Sequence, residues 1–463
     1  MADALGTLAK AAFRKDKGLN VAAAYGTVPG SSDLAAGHQI PFTSEGLTKG
    51  LTRSRDPSLV GAQSVPASPI IAVPTSGTLS GRARWRGLER LFLMALGFEL
   101  PNGDDGSPRL IGTPASGDIL TNATNATPIV VSVTSHGYAN GDGIRIAGVT
   151  GNTAANGDWA IAGVTGGTFE LVDSSGNGTY GGSPTSQPFF ASAHIFEGDD
   201  TLQDSPWVAA DGRNPGFNAG DRKVRRGTFG LDKQVSDWVF YNAFVNKLTL
   251  SGSPQEVTLA VDLLVYDRAR GSFNSSNWTL PLGSAAQVLF QQLEVKLGPR
   301  SGGEGALTTM RPSSFEISID NKGKADDQTT ESGIHAEIPV RDGFRETMLK
   351  LEFPRYNTDA IPAWLDADTE LAGKLVFTGP TIAGGSGENY LWGFFMSSLR
   401  INSDAINVSG PGRMPETLEL FAEKPVTTDI FAAANYNSVA LKKDSELVVK
   451  IQNEDPQNYL TEF

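Results

Sequence analysis

Apolar and polar residues alternate along Trp238–Asp267, WVFYNAFVNKLTLSGSPQEVTLAVDLLVYD, and the period of two predicts two long antiparallel strands joined by a turn. In the first arm Phe244, Asn246, Leu248 and Leu250 are expected on one face, with Val245, Lys247 and Thr249 on the other. In the second arm Val257, Leu259, Val261, Leu263 and Val265 share a face opposite Thr258, Ala260 and Asp262. Phe244, Leu248, Val257, Leu259, Val261 and Leu263 are therefore the predicted core of this hairpin, and Ser-Gly-Ser-Pro at 251–254 its turn.

The remaining pattern is short strands and turns. Residues 1–39 start with a helix-capable segment and continue as a small, polar arm. Residues 40–118 open with an extended, turn-rich stretch through 76, then a strand at Gly77–Trp85 and a helix from about Gly87 to Gly97. Leu88, Leu91, Phe92 and Ala95 fall on one face of that helix, and Gly97 can end it. Residues 119–188 differ in character, with short strands between Asn-Gly and Gly-Gly turns, and read as an inserted small β module with its own core. The host pattern resumes at 189–270, 271–310 is linker-like with a strand at Leu293–Leu297, and 426–463 is a C-terminal arm.

The order of elements then recurs in 311–425. Asn389–Asn402 (NYLWGFFMSSLRIN) resembles Asp237–Leu250, and Glu416–Glu423 resembles Glu256–Tyr266. Strand then helix at Gly77–Leu96 is echoed by Glu346–Phe353 and Ala360–Leu371, and 41–50 by 313–322. A preserved order across these elements predicts an internal duplication.

Composition supports a turn-rich β protein: 463 residues include 53 glycines, 26 prolines and no cysteine, so disulfides and thiolate metal sites are excluded. The N-terminus lacks the order of a secretory signal, and the longest apolar run, Leu91–Phe98, is too short to span a bilayer. A net charge of −13 argues against tight binding of nucleic acid, though not against its passage.

Little in the chain offers chemistry. His38, His136, His194 and His335 are scattered, and no nucleophile elbow, P-loop or dinucleotide fingerprint occurs. Asp173-Ser-Ser-Gly-Asn-Gly starts like a calcium loop, but Pro184 stands where the distal acidic ligand belongs. Arg82, Arg84 and Arg86 alternate on one predicted strand face, and Arg222, Lys223, Arg225 and Arg226 form the strongest basic cluster. Both read as candidate basic patches between subunits, with phosphate contact as the other option. The aromatics Trp238, Phe240, Tyr241 and Phe244 read as packing. No cofactor, metal or catalytic residue is expected.

Several stretches together resemble the tail tube (major tail) proteins of long-tailed, non-contractile bacteriophages. They are PFTSEGL with its extended continuation, SGTLSGRARWRGLERLFLMALGF, FVNKLTLSGSPQEVTLAVDLLVYD, SSFEISIDN, and the strands around SSLRIN and ETLELFAEKP. The resemblance covers most of 40–118, 190–267 and 311–425. It implies a mainly β fold with a few short helices: two tandem tail-tube-type β-sandwich lobes lining a ring-shaped channel, plus the inserted β domain. It further implies stacked homo-oligomeric rings, three chains with pseudo-sixfold symmetry being expected over six. Tape measure, tail terminator and tail tip proteins would be partners, DNA would pass through the lumen, and the protein would be assembled in the host cytoplasm and end in the virion. Six lobes of four strands spaced about 4.8 Å and tilted about 40° make a barrel roughly 48 Å across, about 40 Å inside its side chains. Two other readings stay open: a carbohydrate-binding or adhesion protein that uses 119–188, and a glycoside hydrolase, for which no paired acidic motif is visible.

Overall fold

The computed structural model describes residues 9–15, 28, 34, 38–54, 68–99, 109–111, 118–134, 136–138, 140, 142–189, 191–198, 226–271, 273–278, 280, 286–324, 333–335, 340–341, 343–356, 358–382, 388–406, 413–425, 429–436 and 445–453. Strands dominate. The first half runs β1 (Lys10–Lys15), β2 (Gln39–Ile40), β3 (Ser44–Glu45), β4 (Thr48–Lys49), β5 (Thr52–Arg53), β6 (Ile70–Ala72) and β7 (Thr75–Arg82). Helix α1 (Glu89–Leu96) follows, then β8 (Gly97–Glu99) and β9 (Arg109–Ile111). Next come β10 (Asp118–Ala123), β11 (Val130–Val133), β12 (Gly143–Thr150), β13 (Gly157–Ala162), β14 (Thr168–Leu171) and β15 (Gly181–Phe189). The host continues with β16 (Ala191–Gly198), β17 (Arg226–Asp232), β18 (Asp237–Gly252) and β19 (Val257–Gly271). The second half holds β20 (Leu293–Pro299), β21 (Thr308–Met310), β22 (Ser314–Asp320), β23 (Gly323–Lys324), β24 (Val340–Arg341) and β25 (Glu346–Phe353). Helix α2 (Ala360–Asp366), β26 (Leu371–Thr381), β27 (Asn389–Ile406), β28 (Glu416–Ala422) and β29 (Val448–Asn453) complete it.

The order of strand pairings runs twice. In the first half β3 and β4 pair with β7, β7 with β19, and β19 with β18. In the second, β22 pairs with β25, β25 with β28, and β28 with β27. Because β18 also pairs with β22, one antiparallel sheet runs β3/β4–β7–β19–β18–β22–β25–β28–β27. Behind it, β2–β1–β17 joins the first part of β18, and β21–β20–β26 joins the first part of β27 in the same way. A helix follows the second strand of each set, and a two-stranded ribbon (β5/β6, then β23/β24) precedes that strand.

Both halves share one core. Leu79, Leu248, Leu259, Val261, Ile317, Leu349, Leu418 and Leu420 belong to a single buried cluster. Phe92 of α1 meets Trp392 edge-on at 5.5 Å, which ties the first half's helix to the second half's long strand. The helix ends where its sequence suggests: Gly97 takes a left-handed φ of 103°, and its N–H reaches the Leu93 carbonyl. Yet α1 is buried on every side, Glu89 and Arg90 included, so its apolar stripe is only one of its packed faces.

The structure corrects the hairpin in two places. Its turn lies at 253–256, closed by paired backbone bonds between Ser253 and Glu256. The register also shifts between Val245 and Lys247, making Asn246 a bulge. Val245 therefore sits opposite Leu263 and joins the core, while Phe244 sits opposite Leu264 on the other face. Phe244 is still buried there, at 1% exposed. The bulge has a use. The Asn246 carbonyl accepts Asn321 N–H at 2.8 Å, its side-chain oxygen accepts Gly323 N–H at 2.7 Å, and the first half is thereby fastened to the second.

Three other expectations change. Lys10–Lys15, placed in a helix-capable segment, is a strand, since Ala11 and Phe13 enter the core while the backbone pairs with β17. The segment 271–310 is no linker over 293–310, where β20 and β21 pair and β20 reaches β26. Val448–Asn453 is not an arm: β29 is buried at every position between β27 and β16.

Residues 118–189 close into a six-stranded barrel, β10–β11–β14–β13–β12–β15, around a cluster that includes Ile129, Val131, Ile144, Ile146, Phe169 and Leu171. Its stem is narrow, because β9 and β16 pair with Ile111 opposite Ala191. Replacing 119–188 with a short Gly/Ser linker is expected to leave a folded chain with one cooperative melt, as followed by circular dichroism. Leu259→Asp, on the packed face, should cost roughly 3–5 kcal/mol, whereas Thr258→Asp on the opposite face should cost under about 1 kcal/mol, read from urea melts.

Candidate functional site

The eight-strand sheet has one face on the core and one polar face. Registered neighbours on the polar face include Thr78 and Asp262, Ser80 and Ala260, Lys247 and Asp320, Glu316 and Lys350, and Lys350 and Glu419. Over β7, β19, β18, β22, β25, β28 and β27 this face carries Arg82, Lys247, Lys350 and Arg400, and Arg268 and Arg270 continue the Asp262 row at the end of β19. Six carboxylates answer them: Asp262, Glu316, Asp320, Glu346, Glu352 and Glu419.

Most of these cations lie among carboxylates, while Arg268 packs 4.1 Å from the Trp238 ring centroid. Arg82 pairs with Glu256 at 3.3 Å, Lys350 with Glu352 at 3.3 Å, and Arg400 with Asp368 at 3.2 Å. Lys247 stands between Asp262 and Asp320 in register. The Ser314 hydroxyl, donating at 2.7 Å, together with Lys350 holds Glu352 below the usual carboxylate range. At the rim Lys322 bonds Glu346 at 2.8 Å and Asp320 at 3.1 Å, which raises the lysine's pKa. Such a surface stays hydrated, with cations and carboxylates interspersed.

The two outer strands of this sheet present open edges. Among the described residues β3 and β4 pair only with β7, and the last part of β27, after Leu399, pairs only with β28. Beside the β27 edge sit one buried carboxyl and one half-buried one. Glu416 is 2% exposed, and its Oε1 and Asp404 Oδ1 are buried without a hydrogen-bond partner. Burial, with the charge of Asp404 second, pushes Glu416 up to about 7, and burial raises Asp404.

The predicted basic patches separate. Arg82 ends β7 on the polar face, Arg84 forms an isolated bridge to Gln287, and Arg86 is buried at 3% exposed, so the three do not share an exposed strand face. The strand stops at Arg82, and a bend at Trp85–Gly87 turns the chain inward. Arg226 begins β17 opposite Phe244, while Arg222, Lys223 and Arg225 lie outside the described residues. Leu248, Val257, Leu259, Val261 and Leu263 are all in the main core. Of the histidines, His194 is buried against Glu99 at 2.8 Å, and His335 stacks on Tyr266. Ser174 and Asn177 of the calcium-like stretch are used internally: Ser174 accepts Ile129 N–H, and Asn177 accepts Ala154 N–H.

No family model matches the chain, and no curated protein matches it.

Sequence reasoning missed the Asp404–Glu416 pair because the two lie on consecutive strands and are brought together only by the register of β27 and β28. Its titration is testable. A folded-state pKa of about 7 against an ordinary 4.5 means the folded chain keeps a proton that the unfolded chain has released in between. Stability should therefore fall as pH rises from 4.5 to about 7, with the loss complete above that range. Glu416→Gln should flatten this slope, leaving the melting temperature near wild type at pH 4.5 and raising it by about 2–4 °C at pH 8.

Proposed function

We propose that this chain is the structural subunit of a phage tail tube, built from two tandem lobes that line a channel for DNA. One observation carries the reading: four strands in the order β3/β4–β7–β19–β18 are followed by four in the matching order β22–β25–β28–β27 within a single sheet. A sheet that adds one such set to another through β18 and β22 can add the next chain by the same operation. The β27 edge of one copy then receives β3/β4 of another, and a head-to-tail contact of this kind closes into a ring. Eight strands per chain make three chains a barrel of twenty-four, roughly 48 Å across at a tilt of about 40°. The polar face lines the lumen, and cations already held beside carboxylates leave little to grip a duplex.

Stacking follows from the ribbons. Both β5/β6 and β23/β24 lie between the first and second strands of their sets, so they project from one rim of the sheet. They touch through Val73 N–H donating to the Ile334 carbonyl at 2.9 Å. Exposed apolar residues collect beside them: Leu51, Ile71, Ile334 and Phe344, the last 92% exposed. Such a rim suits burial against the next ring.

Purified protein incubated at high concentration is expected to form regular hollow tubes in negative stain; persistent monomers at every concentration would contradict the reading. Phe344→Asp should keep the wild-type melting temperature within about 1 °C yet give short stacks, since the residue is free of the core. Assembled tubes should show no salt-sensitive affinity for duplex DNA in a sedimentation assay. Micromolar binding that weakens steeply with salt would mean that the channel's cations are free to bind phosphate, against this account of the lumen.

A further inference from the structure

We infer that copies of this chain join through an ionic seam at the position where the internal seam is apolar, with Lys233 and Glu45 of one copy docking on Asp404 and Glu416 of the next. The inference rests on the ring reading above and specifies its contact. Strand register supplies the correspondence. Leu259 lies opposite Leu250 on one side and Gly81 on the other, as Leu418 lies opposite Asp404 and Leu351. Asp404 thus occupies the place of Leu250, and two residues along, Glu416 occupies that of Val257. Arg400 occupies the place of Lys247 by the same count.

The other edge maps equally. Ser44 and Glu45 lie opposite Ser80 and Leu79, as Glu316 and Ile317 lie opposite Lys350 and Leu349. Thr48, opposite Ser76, takes the place of Asp320, opposite Glu346. At the internal seam Leu250 faces Ile317, Ser251 faces Glu316 and Lys247 faces Asp320. Transferred to the open edges, that register sets Asp404 against Glu45, Ala405 against Ser44 and Arg400 against Thr48 of the neighbouring copy.

Two opposed carboxylates repel unless a cation joins them. Glu45 already brings one, since Lys233 Nζ bonds its Oε1 and lies 4.4 Å from the Trp238 ring centroid. The ammonium has three donors. On the receiving side, Asp404 Oδ1 and Glu416 Oε1 are buried with unfilled acceptor capacity. Beside them Tyr356 donates its hydroxyl to Asp359 at 2.7 Å, while Arg355 and Arg413 are solvent-exposed. The neighbour's Lys233 is the donor that fits. Apolar contact suits a seam made once, during folding; charge lets the outer edge stay soluble until its partner arrives.

Reversing the charges tests this. Lys233→Glu should raise the critical concentration for tube formation at least tenfold, and adding Asp404→Lys should restore it. The two residues belong to opposite edges of an eight-strand sheet, roughly 34 Å apart at about 4.8 Å per strand, so rescue within one chain is excluded. Melting of the monomeric variants separates misfolding from lost assembly. A second measurement uses the absence of cysteine from the chain. Ser44→Cys with Ala405→Cys should form disulfide-linked oligomers on oxidation of assembled tubes, and Thr48→Cys with Ala405→Cys should not. Tubes of the Ser44→Cys/Ala405→Cys variant that fail to cross-link, or a charge swap that fails to recover assembly, overturn the seam while leaving the tube intact. Wild-type protein that never assembles overturns both.

Discussion

A sheet edge is a row of unpaired amides and carbonyls, and this fold depends on not leaving that row open where its first half ends. The edge of β18 is taken by β22 over Lys247–Gly252, and the apolar residues beneath, Leu248 and Leu250 against Ile319 and Ile317, run without a break from one half to the other. The Asn246 bulge makes the junction specific. It bends β18 at the level where Asn321 crosses, and the Asn321 side chain also donates to the carbonyls of Ala95 and Val245, each at 3.0 Å. Helix, strand and second half meet at one amide. Separating the halves would expose those groups and a strip of core together.

The same edge logic explains the peripheral elements. β29 covers Leu391–Phe395 of β27, where the shorter β28 does not reach, and its outer side pairs with β16. In the first half the 15-residue β19 spans the whole length of β18 alone. The C-terminal strand thus substitutes for the missing half of a longer one. Around it lie buried polar groups that no apolar pattern announces: His194 on Glu99 at 2.8 Å, Arg345 on Glu446, and Asn453 on Glu89. These fix β8 and the far end of β16, the strand that leaves the barrel, against α1 and β29.

Legibility in the sequence followed how local each signal was. The alternation in Val257–Val265 and the glycine end of α1 were readable because neighbours in sequence carry them. The inserted β module was readable from its turns and its own small core, but its closure into a six-stranded barrel was not. Phe244 was misplaced because a bulge changes face without changing composition. β1 and β29 were misread because KAAFRK and VVKIQN are short, mixed in polarity and stabilised by distant partners. The charged pair at Asp404 and Glu416 needed register, which no single stretch contains.

The central claim is that one chain supplies two sets of four strands to a closed channel. The rotational symmetry of a tube cross-section, measured by cryo-electron microscopy with the 118–189 barrel as a marker, tests it most directly. The account predicts threefold symmetry, with three protrusions around a wall of twenty-four strands. Six identical protrusions per ring would contradict it.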